Sequence, residues 1–336
     1  RSPHSAVLPK VAFLCDEMTW QDFQGCCDGI FLHPRLWREQ LEFFAPDFLF
    51  CEAAWTGIKG YEGSWRGRVY RDRRLLFDNR GILLDVLSHC REHGVPTVFW
   101  GKEDPTFFQH PIYDFTDTAL SFDFIFTTAA ECVERYRALG HPRVGLLPFG
   151  VDTERFHPSD CPPEPGTVVF AGSWFGDQQA RCQALERLLD FSLDRGLRLD
   201  IYNRKSGAKQ KRFHFPDKYR AYLRPAVPYE ETAALFHRYE YALNINSVTD
   251  SATMCSRRLL QLAANGNIIL TNETPVLSNL ADCLETSPTG VPGLVYVRGD
   301  TARIAVKYSV YHQFSNISAC CRAAEKERGL HGTPVV

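Results

Sequence analysis

Apolar and polar positions in the first half of the chain fall into two alternating textures. Short, nearly unbroken apolar runs occur at VAFLCD (11–16), FLFCEAAW (48–55), TVFWGKED (97–104), FIFTT (124–128) and VGLLPFG (144–150). Runs of this length predict strands buried on both faces. Between them, RRLLFDNRGILLDVLSHCREHG (73–94) repeats apolar residues at three and four and closes on Gly94, which predicts a helix with its C-terminal glycine. The second half restarts the pattern, with strands expected at VVFAGSW (168–174), LRLDIYNR (197–204), YALNIN (241–246) and NIILTN (267–272). Helices are expected there at RCQALERLLDFSLDRG (181–196) and SRRLLQLAANG (256–266). Such alternation predicts parallel sheets covered by helices.

The proline-rich HPSDCPPEPG (157–166) lacks periodicity and reads as a linker. The expected fold class is therefore α/β: two Rossmann-like, doubly wound parallel-sheet domains facing a cleft. Residues 1–156 would form the first domain and 167–300 the second, with 301–336 a helical tail packing back on the first. Ligands of such sheets bind beyond the carboxyl ends of the strands, so the residues that follow each run carry the chemistry.

Composition narrows the setting. No apolar run approaches the ~20 residues that span a bilayer, which leaves peripheral membrane association as the one membrane role. The formal net charge of −2 gives no electrostatic footprint for nucleic acid, and the basic run from Arg204 to Arg212 reads as a solvated loop. Twelve cysteines are scattered without any C-x-x-C, so no zinc or other metal site is expected and a reducing cytoplasm fits best. The N-terminus has neither an initiator Met nor an apolar signal and reads as cut from a longer protein.

Four strand ends hold candidate chemistry. LNINSVTDSATMCSRRLLQLAANGNIILTN (243–272) runs from strand through a Ser/Thr/Asn/Asp loop into a helix opening on Arg257 and Arg258. A helix start with Ser251, Thr253 and Ser256 nearby is an anion site, with the arginines adding charge-assisted bonds, or else an ordinary capped helix. FAGSW ends a strand on Gly172, which permits close backbone approach to a ligand or simply makes a turn. WGKEDP brings Lys102, Glu103 and Asp104 to a strand end, as a general base, a hydroxyl acceptor or a leaving-group cation, or as a solvated terminus. Glu52 and Trp55, with Asp16 and Glu17, are acceptor-side candidates, Trp55 for stacking on a sugar or base. G-x-S-x-G, Walker and H-E-x-x-H signatures are absent from the sequence.

From about 10 to 275 the sequence resembles the bacterial CgeB-like, spore-maturation type glycosyltransferases, relatives of the group 1 transferases with the B-type fold. The matching pieces are E-x-A-W (52–55), K-E-D-P (102–105), F-D-F-I-F-T-T (122–128), L-P-F-G-V-D (147–152), F-A-G-S-W (170–174) and N-I-N-S-V-T-D-S-A-T-M-C-S-R-R (244–258). The resemblance implies a nucleotide-sugar donor bound mainly to the second domain and an acceptor bound mainly to the first. It puts the donor phosphates at Thr253, Met254, Cys255, Ser256, Arg257 and Arg258 and the glycine turn at Gly172 and Ser173. With the strand-end residues Trp174, Asn203, Arg204, Lys205, Asn246 and Ser247, and with Gln261 where relatives often carry an acid for the donor ribose, these form the expected donor set.

The expected activity is transfer of a sugar from a nucleoside-diphosphate sugar to an acceptor hydroxyl, in surface-polysaccharide or glycoconjugate synthesis. The acceptor would be a glycan, a lipid-linked molecule or a protein. No cofactor beyond the donor co-substrate and no metal is expected, and the stereochemistry stays open. Glu103 or Asp104 would serve as base, and Lys102 as a cation for the leaving diphosphate. The alternatives are a non-catalytic nucleotide-sugar or glycan-binding module and a sugar-nucleotide epimerase of the same fold.

Overall fold

The computed structural model describes residues 8–331, so the outermost parts of the first domain and the tail, 1–7 and 332–336, lie outside the described residues. The chain divides into two compact units, one of residues 1–148 with 310–336 and the other of Phe149–Ser309.

The first unit is built on strands β1 (Lys10–Leu14), β2 (Asp28–Phe31), β3 (Phe48–Glu52), β5 (Thr97–Gly101), β7 (Phe124–Thr127) and β8 (Val144–Leu146). They form one parallel sheet in the order β2-β1-β3-β5-β7-β8. Every residue of β3 and β5 is buried, as unbroken apolar runs require of central parallel strands. A separate two-stranded ladder joins β4 (Arg71–Asp72) to β6 (Tyr113–Asp114). Helices α1 (Glu17–Phe23), α2 (Trp37–Phe44), α3 (Gly81–Glu92), α4 (Phe115–Ala119) and α5 (Ala130–Ala138) connect the strands.

The second unit holds β9 (Glu164–Gly172), β10 (Arg198–Asn203), β11 (Leu223–Arg224), β12 (Tyr239–Leu243), β13 (Ile268–Asn272), β14 (Leu284–Pro288) and β15 (Leu294–Gly299) in the order β11-β10-β9-β12-β13-β15-β14. The last two run antiparallel, the rest parallel. Helices α6 (Gln179–Asp194), α7 (Thr232–His237), α8 (Arg257–Ala264), α9 (Pro275–Asn279) and α10 (Thr301–Lys307) complete it. Alternation along β9 separates two cores: Val168 and Phe170 pack with Leu185 and Leu189 of α6, whereas Val169 packs with Leu259 and Leu262 of α8. The long α11 (Val310–His331) returns to the first unit, where Phe314 lies 5.3 Å from Phe23 and 5.8 Å from Phe48 by ring centroid. No described helix is long and apolar enough to cross a membrane.

Two local expectations differ from the structure. The helix expected over 73–94 spans only Gly81–Glu92, with Gly94 at φ 72° just beyond it. Its first turns are lost because Asp72 accepts from the Arg74 amide and Asn79 accepts from the Asp72 amide, which ties the backbone into turns. Strand β9 begins at Glu164, inside the proline-rich stretch read as a linker, because the Glu164 amide bonds the Arg238 carbonyl.

Candidate functional site

In the second unit, the carboxyl end of β9 carries Gly172 and Ser173, and three arginines gather there from different elements. Arg181, near the start of α6, donates Nη1 to the Ser173 carbonyl (3.1 Å) and Nε to Ser247 Oγ (3.0 Å). Arg204 follows β10, and its amide donates to the Gly172 carbonyl at 2.9 Å. Arg258, in the first turn of α8, sets its guanidinium 5.0 Å from the centroid of the Phe170 ring. Burial, with the charges of Arg204 and Arg181, pulls the Arg258 pKa down to about 9. Burial also lowers Arg181, to about 10, with Arg204 adding to the effect. No carboxylate pairs with Arg181 or Arg258 among the described residues. Ser173 is 1% exposed, and its hydroxyl has no hydrogen-bond partner among the described residues. Clustered cations beside an unsatisfied hydroxyl leave this end of the sheet short of an anion with several acceptor oxygens.

An asparagine ladder holds the neighbouring loop. Asn272 accepts from the Asn246 amide (2.9 Å) and donates to its carbonyl (3.0 Å). Asn246 accepts from the Ser256 amide (2.9 Å) and donates to Thr274 Oγ1 (3.1 Å). Asn244 bonds Asn246 and Thr271, while its own Oδ1 is buried without a partner among the described residues. Ser251 Oγ takes the Thr253 and Met254 amides. The amides of 253, 254 and 256 are thus occupied internally, which leaves the arginine side chains as the candidate anion-binding groups.

The other donor candidates hold varied positions. Arg257 lies 4.8 Å from the Phe149 ring centroid. Cys255 is a core residue whose thiol burial pushes up to about 12. Trp174 packs on Phe215, and Asn203 caps the Lys205 amide while Lys205 Nζ sits over Phe213. Gln261 is buried and donates to the Tyr229 hydroxyl.

In the first unit, Lys102 Nζ bridges Asp16 Oδ2 (2.8 Å) and Glu52 Oε1 (2.7 Å). Glu52 also accepts from the Asp16 amide and from Thr19 Oγ1. Asp16 collects the amides of Trp55, Thr56 and Gly57. Burial opposes ionisation of Asp16, but the Lys102 charge and these donors hold its pKa well below the usual range. Burial likewise works against the Lys102 charge, and Glu52 and Asp16 outweigh it, so the ammonium is retained. Its charge is therefore spent within the unit. Glu17 is turned to the next loop, accepting from the Lys59 amide and from Gln21.

Glu103 is half-buried, and burial raises its pKa against the opposing charge of Lys102 and a hydrogen bond from the Trp55 side chain. Asp104 points inward, accepting from Thr127 Oγ1 (2.7 Å) and the Tyr136 hydroxyl (3.1 Å), and burial raises it to about 7. Trp55 itself lies in an aromatic cluster, 4.9 Å from Phe107, 5.0 Å from Phe115 and 5.5 Å from Tyr70. Arg181 was not anticipated from sequence; its signal is an arginine in the first turn of the helix that follows the Gly172–Ser173 turn.

Residues 181–289 match the profile of a family described as glycosyl transferase-like. No curated protein matches the chain. Among solved structures, an alpha-glucosyltransferase in complex with UDP and a 13-mer DNA containing a central A:G mismatch is 9% identical, with 96% of this chain and 93% of that one covered at a TM-score of 0.51. An alpha-glucosyltransferase in complex with UDP-glucose and DNA containing an abasic site is 7% identical, covering 80% of each chain at 0.48. A glycosyltransferase from Rickettsia africae ESF-5 is 7% identical, covering 96% and 94% at 0.45. The fold is a mixed α/β arrangement of parallel sheets like that of the B-type glycosyltransferases.

Proposed function

We propose that this protein is a glycosyltransferase that moves a sugar from a nucleoside-diphosphate sugar to an acceptor hydroxyl. The observation that carries the proposal is the meeting of Arg181, Arg204 and Arg258 at Gly172 and Ser173, with no carboxylate pairing Arg181 or Arg258 among the described residues. Breaking the glycosidic bond builds negative charge on the departing diphosphate, and preorganised cations and donors stabilise that charge most. In this scheme the arginines supply the charge compensation that a divalent ion supplies elsewhere, so the reaction is metal-independent. The family profile over 181–289 includes Arg181, Arg204 and Arg258, which supports the same reading.

On the acceptor side we assign Glu103 as the group that takes the hydroxyl proton if the reaction inverts, and as a sugar-positioning carboxylate if it retains. A carboxyl raised by burial is a better match to proton transfer near neutral pH than an ordinary one. Lys102, fixed between Asp16 and Glu52, tunes Glu103 electrostatically. The CgeB-like subtype and a role in surface-polysaccharide or glycoconjugate synthesis rest on the sequence motifs. Ten of the twelve cysteines are buried, which supports a reducing, cytoplasmic setting. The acceptor class we favour is a glycan, a lipid-linked molecule or a protein; DNA accompanies the alpha-glucosyltransferase above that matches over 96% of this chain, whereas this chain's net charge of −2 gives no overall electrostatic footprint for nucleic acid.

A second reading, binding without transfer, has one observation in its favour: Gln261, at the expected ribose position, is neutral and already bonded to Tyr229. Incubation with a panel of sugar nucleotides and candidate acceptors separates the two. Release of nucleoside diphosphate, faster with acceptor, supports transfer; donor binding without release supports the module, and conversion of the donor sugar without acceptor supports an epimerase.

A further inference from the structure

The stretch 73–80 places Leu75, Leu76 and Phe77 in succession at 36%, 104% and 65% exposure, so three large apolar side chains stand in solvent at one loop tip. The tip is held out by its own base. Asp72 takes the Arg74 amide (3.1 Å) and Nε (2.9 Å), and Arg74 lies over the Tyr113 ring at 5.1 Å. Asn79 donates to the carbonyls of Gly67 and Tyr70. Arg80, itself buried, pairs with Asp78 (2.7 Å) and Asp117 (2.8 Å). The feet of the tip are thus pinned, and its three apolar side chains stay uncovered among the described residues.

The surroundings state the partner's chemistry. Residues 66–80 carry six arginines against two aspartates, in a chain whose net charge is −2. Asp114 and Asp117 offset part of this through Arg73 and Arg80, but Arg66 and Arg68 have no ion pair among the described residues. Apolar side chains in a stretch this rich in arginine suit an anionic lipid surface, where the tip enters the acyl boundary and the guanidinium groups stay at the headgroups. We propose that the Leu75–Phe77 tip is a membrane-docking element that seats the first unit on an anionic bilayer.

Its position ties docking to the acceptor side. The loop follows β3 and its ladder strand β4 pairs with β6, which follows β5, so both segments leave the carboxyl edge of the same sheet. From the tip, Arg74 reaches Tyr113, Tyr113 lies 5.6 Å from Trp55, and Trp55 bonds Glu103. If the proposed transfer holds, this arrangement favours a lipid-linked acceptor presented at the bilayer; docking itself requires no donor and is measured without one.

The test is co-sedimentation of the 336-residue chain with phosphatidylcholine vesicles, with and without phosphatidylglycerol. Preferential binding to the phosphatidylglycerol vesicles is expected, weakened at least about tenfold in L76D/F77D with an unchanged thermal midpoint, and retained in L76W with a blue-shifted emission. Wild-type protein that stays in the supernatant, or an Asp variant that binds as wild type does, overturns the proposal. Binding of a DNA duplex in place of vesicles, lost in the same variant, also overturns it. Vesicle binding without any nucleotide binding leaves docking standing and removes only the proposed transfer.

Discussion

The Arg258 guanidinium occupies the space that a side chain on Gly172 would need: a Cβ there would stand 2.9 Å from Arg258 Nη2 and 2.6 Å from the Phe170 ring. Gly172 is thus what allows Arg258 to lie across the end of β9. Gly172→Ala is expected to displace either the ring or the guanidinium, costing about 1–3 kcal/mol of stability. Nucleotide affinity should fall with it, about tenfold or more. Urea unfolding and calorimetric titration of the same preparation check both effects.

Glu103→Gln keeps the size and the bond from Trp55 but removes the titrating group. Turnover is expected to drop by about 100-fold or more, in the range of a lost general base, while donor affinity stays within about twofold. Equal losses in both would point to a structural role for Glu103. Wild-type turnover would remove it from the mechanism.

Lys102 sits between two carboxylates, one of them fully buried. Lys102→Met leaves Asp16 and Glu52 facing each other without a cation, and a loss of about 3–5 kcal/mol is expected. Because Asp16 titrates lower in the folded than in the unfolded chain, its contribution is complete above the unfolded value near ~3.9 and disappears as pH falls below it. Lys102→Met should therefore flatten the acid limb of the stability curve.

Asp104 has the opposite sign. Its folded pKa of about 7 exceeds the unfolded value, so the folded state holds a proton that the unfolded state releases, and stability declines from about pH 4 to 7. Asp104→Asn retains an acceptor for Thr127 and Tyr136 and cannot ionise. It is expected to be at least as stable as wild type at pH 7 and to lack the decline. Urea midpoints across pH 4–8 measure the difference.

The strands were legible because a central parallel strand is buried on both faces and must be almost wholly apolar, as FLFCE and TVFWG are. The helix expected over 73–94 starts late because Leu75, Leu76 and Phe77 extend the apolar pattern of Ile82–Leu87 but have no surface to cover, and Asp72 and Asn79 compete for the backbone. The Gly172 turn and the Arg257–Arg258 helix start are legible because each directly follows an apolar strand run or its loop. Which arginine faces that turn could not, since Arg181, Arg204 and Arg258 are brought together only by the order of β9, β10 and β12 in the sheet. Lys102 shows the same limit: its partners lie 86 and 50 residues away, and spacing along the chain carries no trace of them.

The central claim is that the arginine cluster at Gly172 binds the diphosphate of the donor. Titration of wild type, Arg181→Ala and Arg258→Ala with UDP, GDP, ADP and dTDP, with unfolding measured in parallel, tests it directly. At least one nucleotide should bind wild type, and each variant should weaken it by about 10–100-fold, the worth of a charge-assisted hydrogen bond. Their stability without ligand should stay level or rise, because each change relieves repulsion among like charges. Failure of every nucleotide to bind, or unchanged affinity in both folded variants, would contradict the account.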